Sequence, residues 1–118
     1  MKAFIVSICA ILLLVGTVVF NGFYIKNTTN KLTDLANDIT LESSESIENF
    51  KEYWIKNEHK ICISVSHKDV DNINIAVCVL EEMQERNESD GFWEYHALLL
   101  KYIEEIRSKE RVHIDNII

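Results

Sequence analysis

An uncharged apolar run close to the N-terminus limits what this chain can fold into more than any other feature. Residues 3–20 read AFIVSICAILLLVGTVVF and contain no charged side chain. The apolar character continues to Ile25, and residues 3–25 in a helix span roughly 34 Å, enough for the ~30 Å hydrocarbon layer of a bilayer. The run therefore predicts a transmembrane anchor over residues 1–25, with residues 3–25 in contact with membrane lipid.

A cleaved secretory signal is the alternative, which would have a shorter apolar core and small residues ahead of a cleavage site. No A-x-A-like triplet occurs in residues 16–31, and Phe23, Tyr24 and Lys26 form an aromatic and basic group typical of the membrane interface. We therefore expect an uncleaved, single-pass anchor in the cell membrane. The flanking basic residues are too few to set its orientation. Because signal-anchors of this kind usually export the domain on their C-terminal side, we expect an extracytoplasmic soluble domain.

The composition favours helices over sheets and argues against a nucleic-acid partner. The chain has no proline and three glycines, the residues on which many-stranded sheets and phosphate loops depend. Beyond residue 25 it carries 11 basic and 19 acidic side chains, so it should repel nucleic acid and anionic lipid headgroups. Frequent Ile, Asn and Lys with only three Arg are typical of an AT-rich bacterial coding sequence.

Apolar residues recur at helical spacing along the remaining chain, which predicts an all-α fold. We expect residues 26–42 to form a helical stalk and a break, and residues 43–118 to form an acidic, antiparallel three-helix bundle with a C-terminal arm. The apolar residues of the stalk and of the three helices are, in chain order, Leu32, Leu35, Ala36, Ile39, Ile47, Phe50, Trp54, Ile61, Val65, Val70, Ile73, Val77, Leu80, Phe92, Tyr95, Leu99, Tyr102, Ile103 and Ile106.

Serines and acidic residues mark the expected helix starts. Thr40 or Ser43 could cap the first bundle helix, Ser66 the second, and Ser89 or Asp90 the third. The last nine residues, ERVHIDNII, alternate apolar and polar side chains, which predicts a packed extended arm over residues 110–118.

Two expectations concern stability and cysteine chemistry. Since the apolar faces of the three bundle helices can bury one another, a fragment beginning near Leu41 is expected to fold without the anchor, with Trp54 in its core. Cys62 and Cys78 lie on successive helices at heights that differ by roughly 9 Å, so both are expected to be free thiols.

The stretch His67-Lys68-Asp69-Val70-Asp71 is the most site-like cluster, because a histidine and two carboxylates could begin a metal site. A helix start explains it better, since Asp69 and Asp71 would be carboxylates in an exposed first turn, where they offset the helix dipole. His59 and His96, with Glu58, Glu94 or Cys62, could also be imagined around a metal, because their helices are expected to be neighbours. Ordinary helix-surface positions are the favoured interpretation.

No motif for catalysis or cofactor binding occurs in the sequence. There is no G-x-S-x-G, no Walker-type loop and no Cys–His signature, so we predict no enzymatic activity, catalytic residue, cofactor or metal site. Trp54, Phe92, Trp93 and Tyr95 could line a ligand groove, but aromatic residues at helical spacing in so small a domain are more often its core.

Two short stretches resemble a known family. His67, Val70, Asp71 and Ile73 are similar to an H-x-E-I-D-x-I stretch, with Asp69 in place of the glutamate, and residues 116–117 are similar to an x-N-I-F-like end. With the N-terminal membrane helix and a Trp-bearing helix, this pattern resembles the domain of unknown function family numbered 4363. The resemblance implies a membrane helix followed by helices, and it implies no activity, cofactor or ligand.

Two functions are compatible with these features. The first is a membrane-tethered, non-enzymatic interaction or accessory protein that docks on another membrane protein. The second is an extracytoplasmic sensor of a ligand or cation. The excess of acidic residues favours a sensor, and the absence of an acidic loop with calcium-binding spacing argues against it.

Overall fold

The computed structural model describes residues 1–117, and their side chains apart from Ser64 and residues 110–117. These residues form four helices, α1 (Lys2–Asn37), α2 (Ser44–Ser64), α3 (His67–Glu85) and α4 (Ser89–Ile117). The predicted all-α class with a long apolar first helix is confirmed. The predicted extended arm over residues 110–118 is wrong for residues 110–117, which continue α4, whereas Ile118 lies outside the described residues.

Side-chain caps fix two of the helix starts. The Ser43 hydroxyl accepts the Ser46 N–H at 3.3 Å at the start of α2, and the Ser66 hydroxyl accepts the Asp69 N–H at 3.3 Å at the start of α3. Both caps were among those predicted, and each satisfies an N–H that the helix itself leaves free. Since α4 begins at Ser89, Ser89 and Asp90 lie inside its first turn rather than ahead of it.

Asn87 makes the connection between α3 and α4 short. It adopts a left-handed backbone with φ 56°, a conformation that asparagine tolerates better than most residues. The Glu88 N–H then bonds to the Met83 carbonyl at 2.9 Å and the Asn87 N–H to the Gln84 carbonyl at 3.1 Å, the pair of bonds that closes a Schellman motif. The turn is therefore short, and Gly91 belongs to α4.

The helices form an antiparallel bundle in which each one packs on the next, and α4 closes the ring against α1. The stalk expected over residues 26–42 does not stand apart, because Ile25, Leu32 and Ala36 of α1 are buried against the other helices. The expected three-helix bundle is therefore a bundle of four, with the second half of α1 as one wall. The molecule is a rod of 68 × 23 × 21 Å, since α1 extends beyond the bundle at its N-terminal side.

Two contacts set the register of the bundle. At one end the Tyr24 hydroxyl donates to Asn57 Oδ1 at 2.8 Å, and at the other His96 Nε2 lies 2.7 Å from the Ala36 carbonyl. The proximal end is the one where α1 enters and the turn between α2 and α3 lies. The distal end is the one where α1 and α3 finish and α2 and α4 begin.

Side chains from all four helices fill the core. Trp54 is 2% exposed, and its Nε1 donates to Asn74 Oδ1 at 2.7 Å, so its one polar atom is satisfied. The largest fully buried side chains are Ile25, Leu32, Ile39, Ile47, Phe50, Ile61, Ile73, Leu80, Phe92, Leu99, Ile103 and Ile106.

Truncating Trp54 should therefore weaken the bundle more than truncating an exposed tryptophan. Trp54→Ala should lower the free energy of unfolding by about 3 kcal/mol or more, as for other buried aromatic side chains. Trp93→Ala is the matched control, since Trp93 is 44% exposed. Urea unfolding followed by circular dichroism measures both, and a loss below about 1 kcal/mol for Trp54→Ala would contradict its burial.

The wall formed by α1 also changes which fragment should fold. A fragment beginning at Leu41 lacks Ile25 and Leu32, each of which contributes about 1.5–3 kcal/mol when buried, against a total stability of about 5–15 kcal/mol. We expect it to bind a hydrophobic dye and to lack near-ultraviolet circular dichroism, whereas a fragment beginning at Val19 should unfold cooperatively. Equal, cooperative unfolding of both fragments would show that α1 is dispensable.

Candidate functional site

The structure separates the residues of the most site-like stretch. His67 begins α3 and is exposed, as is Asp71, whereas Asp69 is only 4% exposed. Lys109 of α4 reaches the Asp69 carboxylate with its Nζ at 2.8 Å from Oδ2 and 3.0 Å from Oδ1. The three residues lie at a helix start, as predicted, but the expectation that Asp69 is an exposed helix-terminal carboxylate is wrong.

The ion pair of Asp69 and Lys109 ties the start of α3 to α4 near the proximal end. A buried carboxylate needs a partner because it has lost its water, and Lys109 is the partner here. The hydrogen bond to Asp69 raises the pKa of Lys109, with a smaller attraction from the same carboxylate and an opposing effect of partial desolvation. The two residues are 40 positions apart, and a local sequence pattern has no means of pairing them.

The topology also separates the residues of the second possible metal cluster. His59 lies on α2 and His96 on α4, which face each other diagonally and do not pack together, so the expected neighbourhood is wrong. His96 instead bonds to the carbonyl of Ala36 in the last turn of α1, and its ring meets Trp93 edge-on at 5.3 Å. Among the described residues, no group of three His, Cys, Asp or Glu side chains could hold a metal ion.

The four aromatic residues divide between core and surface. Trp54 and Phe92 are buried, as expected of a core, and Tyr95 is half-buried against it. Trp93 is different, because it is 44% exposed while its ring rests edge-on against Phe92 at 5.0 Å. The indole of Trp93 is therefore positioned by Phe92 and partly exposed to solvent near the distal end.

Gln84 links two elements at the distal end, and no pattern in the sequence marks it. Its side-chain amide donates to the carbonyls of Thr40 and Ser43 at 3.0 and 2.9 Å, which fixes the connection between α1 and α2 onto the last turn of α3. The Thr40 carbonyl also accepts the Ser43 N–H at 3.4 Å, and the Ser43 carbonyl also accepts the Ser46 hydroxyl at 2.6 Å. The Gln84 amide therefore adds a second donor to each carbonyl and links the turn to α3.

The antiparallel topology concentrates the negative charge at one end. The distal half, residues 34–54 and 80–100, has 12 acidic and two basic side chains. The proximal half, residues 26–33, 55–79 and 101–109, has five acidic and eight basic side chains. The net charge of the bundle therefore belongs to its distal half, and the half next to the anchor is weakly basic.

Replacing Lys109 with methionine tests the ion pair, because the effect of the substitution on the melting temperature should depend on pH. A raised pKa means that the native state holds this proton more tightly than the unfolded state. The stabilisation is therefore complete below the ordinary lysine pKa of 10.5 and is lost as pH rises through the raised value. Near neutral pH the wild type should melt at a higher temperature than Lys109→Met, and the difference should shrink at strongly alkaline pH.

Lys101→Met provides the matched control, since Lys101 is an exposed lysine on the same helix. Its melting temperature, measured by near-ultraviolet circular dichroism in detergent, should stay close to that of the wild type. Equal effects of the two substitutions, or a Lys109 effect that is the same at every pH, would contradict a stabilising pair.

Comparison with known protein families gives a match that covers the bundle. A model of the family described as domain of unknown function DUF4363 matches residues 19–117, which are most of the chain and all of the bundle. No curated protein and no solved structure matches the chain. The match begins where the side chains of α1 first become partly buried, at Val18 and Val19. By this match, the chain belongs to the DUF4363 family of proteins with a domain of unknown function.

Proposed function

We propose that this protein is a single-pass membrane protein whose helical bundle is a non-enzymatic interaction module that docks on another membrane protein. The observation that carries the proposal is the unbroken course of α1. The helix begins as an exposed apolar segment and ends as a wall of the bundle core.

The exposed segment is the reason for placing α1 in a membrane. Residues 1–17 are exposed throughout, and large apolar side chains such as Phe4, Leu13 and Leu14 are about two-thirds or more exposed at 70, 72 and 67%. A contiguous apolar surface of this extent marks a membrane or protein contact, and the helix is long and apolar enough to cross a bilayer. The predicted anchor boundary at residue 25 is consistent with Ile25 being the first large core side chain of α1.

The distal end is the surface that we assign to the partner. It lies farthest from the anchor, it carries the excess of acidic side chains, and it includes the exposed indole of Trp93. Tryptophan is enriched among residues that dominate binding energy, and an acidic surround selects a partner with basic groups. We place this end in the extracytoplasmic space, as expected for a signal-anchor.

Membrane extraction and site-specific crosslinking test the proposal together. The full chain should remain with membranes after alkaline carbonate washing. A photoreactive residue in place of Trp93 should then give an adduct with another membrane protein, because Trp93 lies in the assigned surface. The same residue in place of Ile75, which is 59% exposed on α3, is the matched control and should give far less. Equal yields from both positions, or adducts of the chain with itself alone, would contradict docking through the distal end.

A cation sensor is the alternative proposal, and the acidic excess of the distal half is the observation that favours it. A ligand that binds only the native state must raise the melting temperature. Divalent ions would therefore raise the melting temperature of the chain if it is a cation sensor, and would leave it unchanged if it is an interaction module.

A further inference from the structure

The turn between α2 and α3 lies at the same height along α1 as the end of the apolar segment. The bond from Tyr24 to Asn57 fixes this height, and Lys60 Nζ lies 5.9 Å from the centre of the Tyr24 ring. Because α2 runs antiparallel to α1, the six-residue step from Asn57 to Ile63 extends roughly 9 Å toward the N-terminus of α1. Ile63 therefore lies level with Val18, inside the uncharged run of residues 3–20.

The side chains at this turn suit the boundary between hydrocarbon and headgroups. Ile63 is 80% exposed, the highest value among the large apolar side chains that the structure describes between residues 24 and 109. Lys60, His67 and Lys68 around it are exposed as well. An apolar side chain surrounded by basic ones is the composition of segments that lie in a membrane interface, where the apolar group enters the lipid and the cations meet phosphates.

The distribution of charge removes the objection that an acidic domain avoids anionic lipid. The half of the bundle that contains this turn has eight basic and five acidic side chains, and the excess of acidic residues lies in the distal half. The length of α2, 21 residues or roughly 31 Å, separates the turn from the distal end. This is several times the Debye length of about 8–10 Å in physiological salt, so the distal charge is screened at the turn.

We propose that the turn formed by Lys60, Ile63, His67 and Lys68 is a membrane-contact surface that rests in the phospholipid headgroup layer next to α1. This proposal depends on the membrane span that is part of the proposed function. The bundle then has two attachments to the bilayer, the covalent continuation of α1 and the turn between α2 and α3. Two attachments restrict rotation of the bundle about the axis of α1, whereas one does not.

Depth-dependent fluorescence quenching tests this contact in the full chain. The chain is reconstituted in vesicles of phosphatidylcholine and phosphatidylglycerol, with or without brominated phosphatidylcholine. Tryptophan replaces Ile63 in one variant and Ile75 in the control. Ile75 is also exposed, at 59%, but it follows Asn74, whose bond to Trp54 places it in the middle of the bundle. Trp54 and Trp93 contribute the same background to both.

The emission added by Ile63→Trp should be shifted to shorter wavelength and mostly lost in brominated lipid. The emission added by Ile75→Trp should be lost only to acrylamide in the aqueous phase. If both added signals respond to acrylamide alone while the chain resists alkaline carbonate, the membrane contact is overturned and the anchor stands. If carbonate releases the chain, the anchor and the contact are both overturned.

Charge reversal tests the assignment of the two lysines. Lys60→Glu with Lys68→Glu, in the Ile63→Trp background, should reduce quenching by brominated lipid in vesicles that contain phosphatidylglycerol. Vesicles of phosphatidylcholine alone should show a smaller reduction, since they carry no net surface charge. Unchanged quenching in the anionic vesicles would overturn the role of Lys60 and Lys68.

Discussion

One helix in two environments is the constraint on which the rest of this structure depends. The hydrogen bonds of α1 run without interruption from Lys2 to Asn37, and the chain has no proline to bend it. The N-terminal half is exposed and apolar, and the C-terminal half is packed on α2 and α4. Because a continuous helix has no hinge, the tilt of its apolar half sets the tilt of the bundle. The fold therefore fixes how each face of the bundle is oriented relative to the apolar half of α1.

The sequence predicted the features that depend on local interactions. The four helices and the burial of Trp54 follow from apolar spacings of three and four residues, which a helix converts directly into a face. The caps at Ser43 and Ser66 follow from the residue type at each helix start. The wall formed by α1 was missed because buried Thr28 and Thr29 look polar in a sequence. The Thr29 hydroxyl bonds to the Lys26 carbonyl within the same helix, so its polar atom is satisfied without water.

Features that join distant segments were beyond a local pattern. The buried Asp69 is paired across 40 residues with Lys109. Its spacing of four residues from Ile73 places it on the buried face of α3, but nothing near it in the sequence identifies its partner. The C-terminal segment was misjudged for a related reason, since alternation over a few residues fits a strand and a helix edge equally well. The expected proximity of His59 and His96 was wrong for the same reason, because the ring of four places their helices diagonally.

The net charge shows how topology can reverse a conclusion drawn from composition. An average over the chain gives an acidic domain that should avoid an anionic bilayer. Folding brings two acidic segments, residues 34–54 and 80–100, together at the end farthest from the apolar half of α1, and leaves a weakly basic surface beside it. A dipole along the rod results, with its positive end toward the membrane that α1 is proposed to enter. Since exposed charges interact over about one Debye length, each end of the bundle meets its surroundings with its own local charge and not with the average.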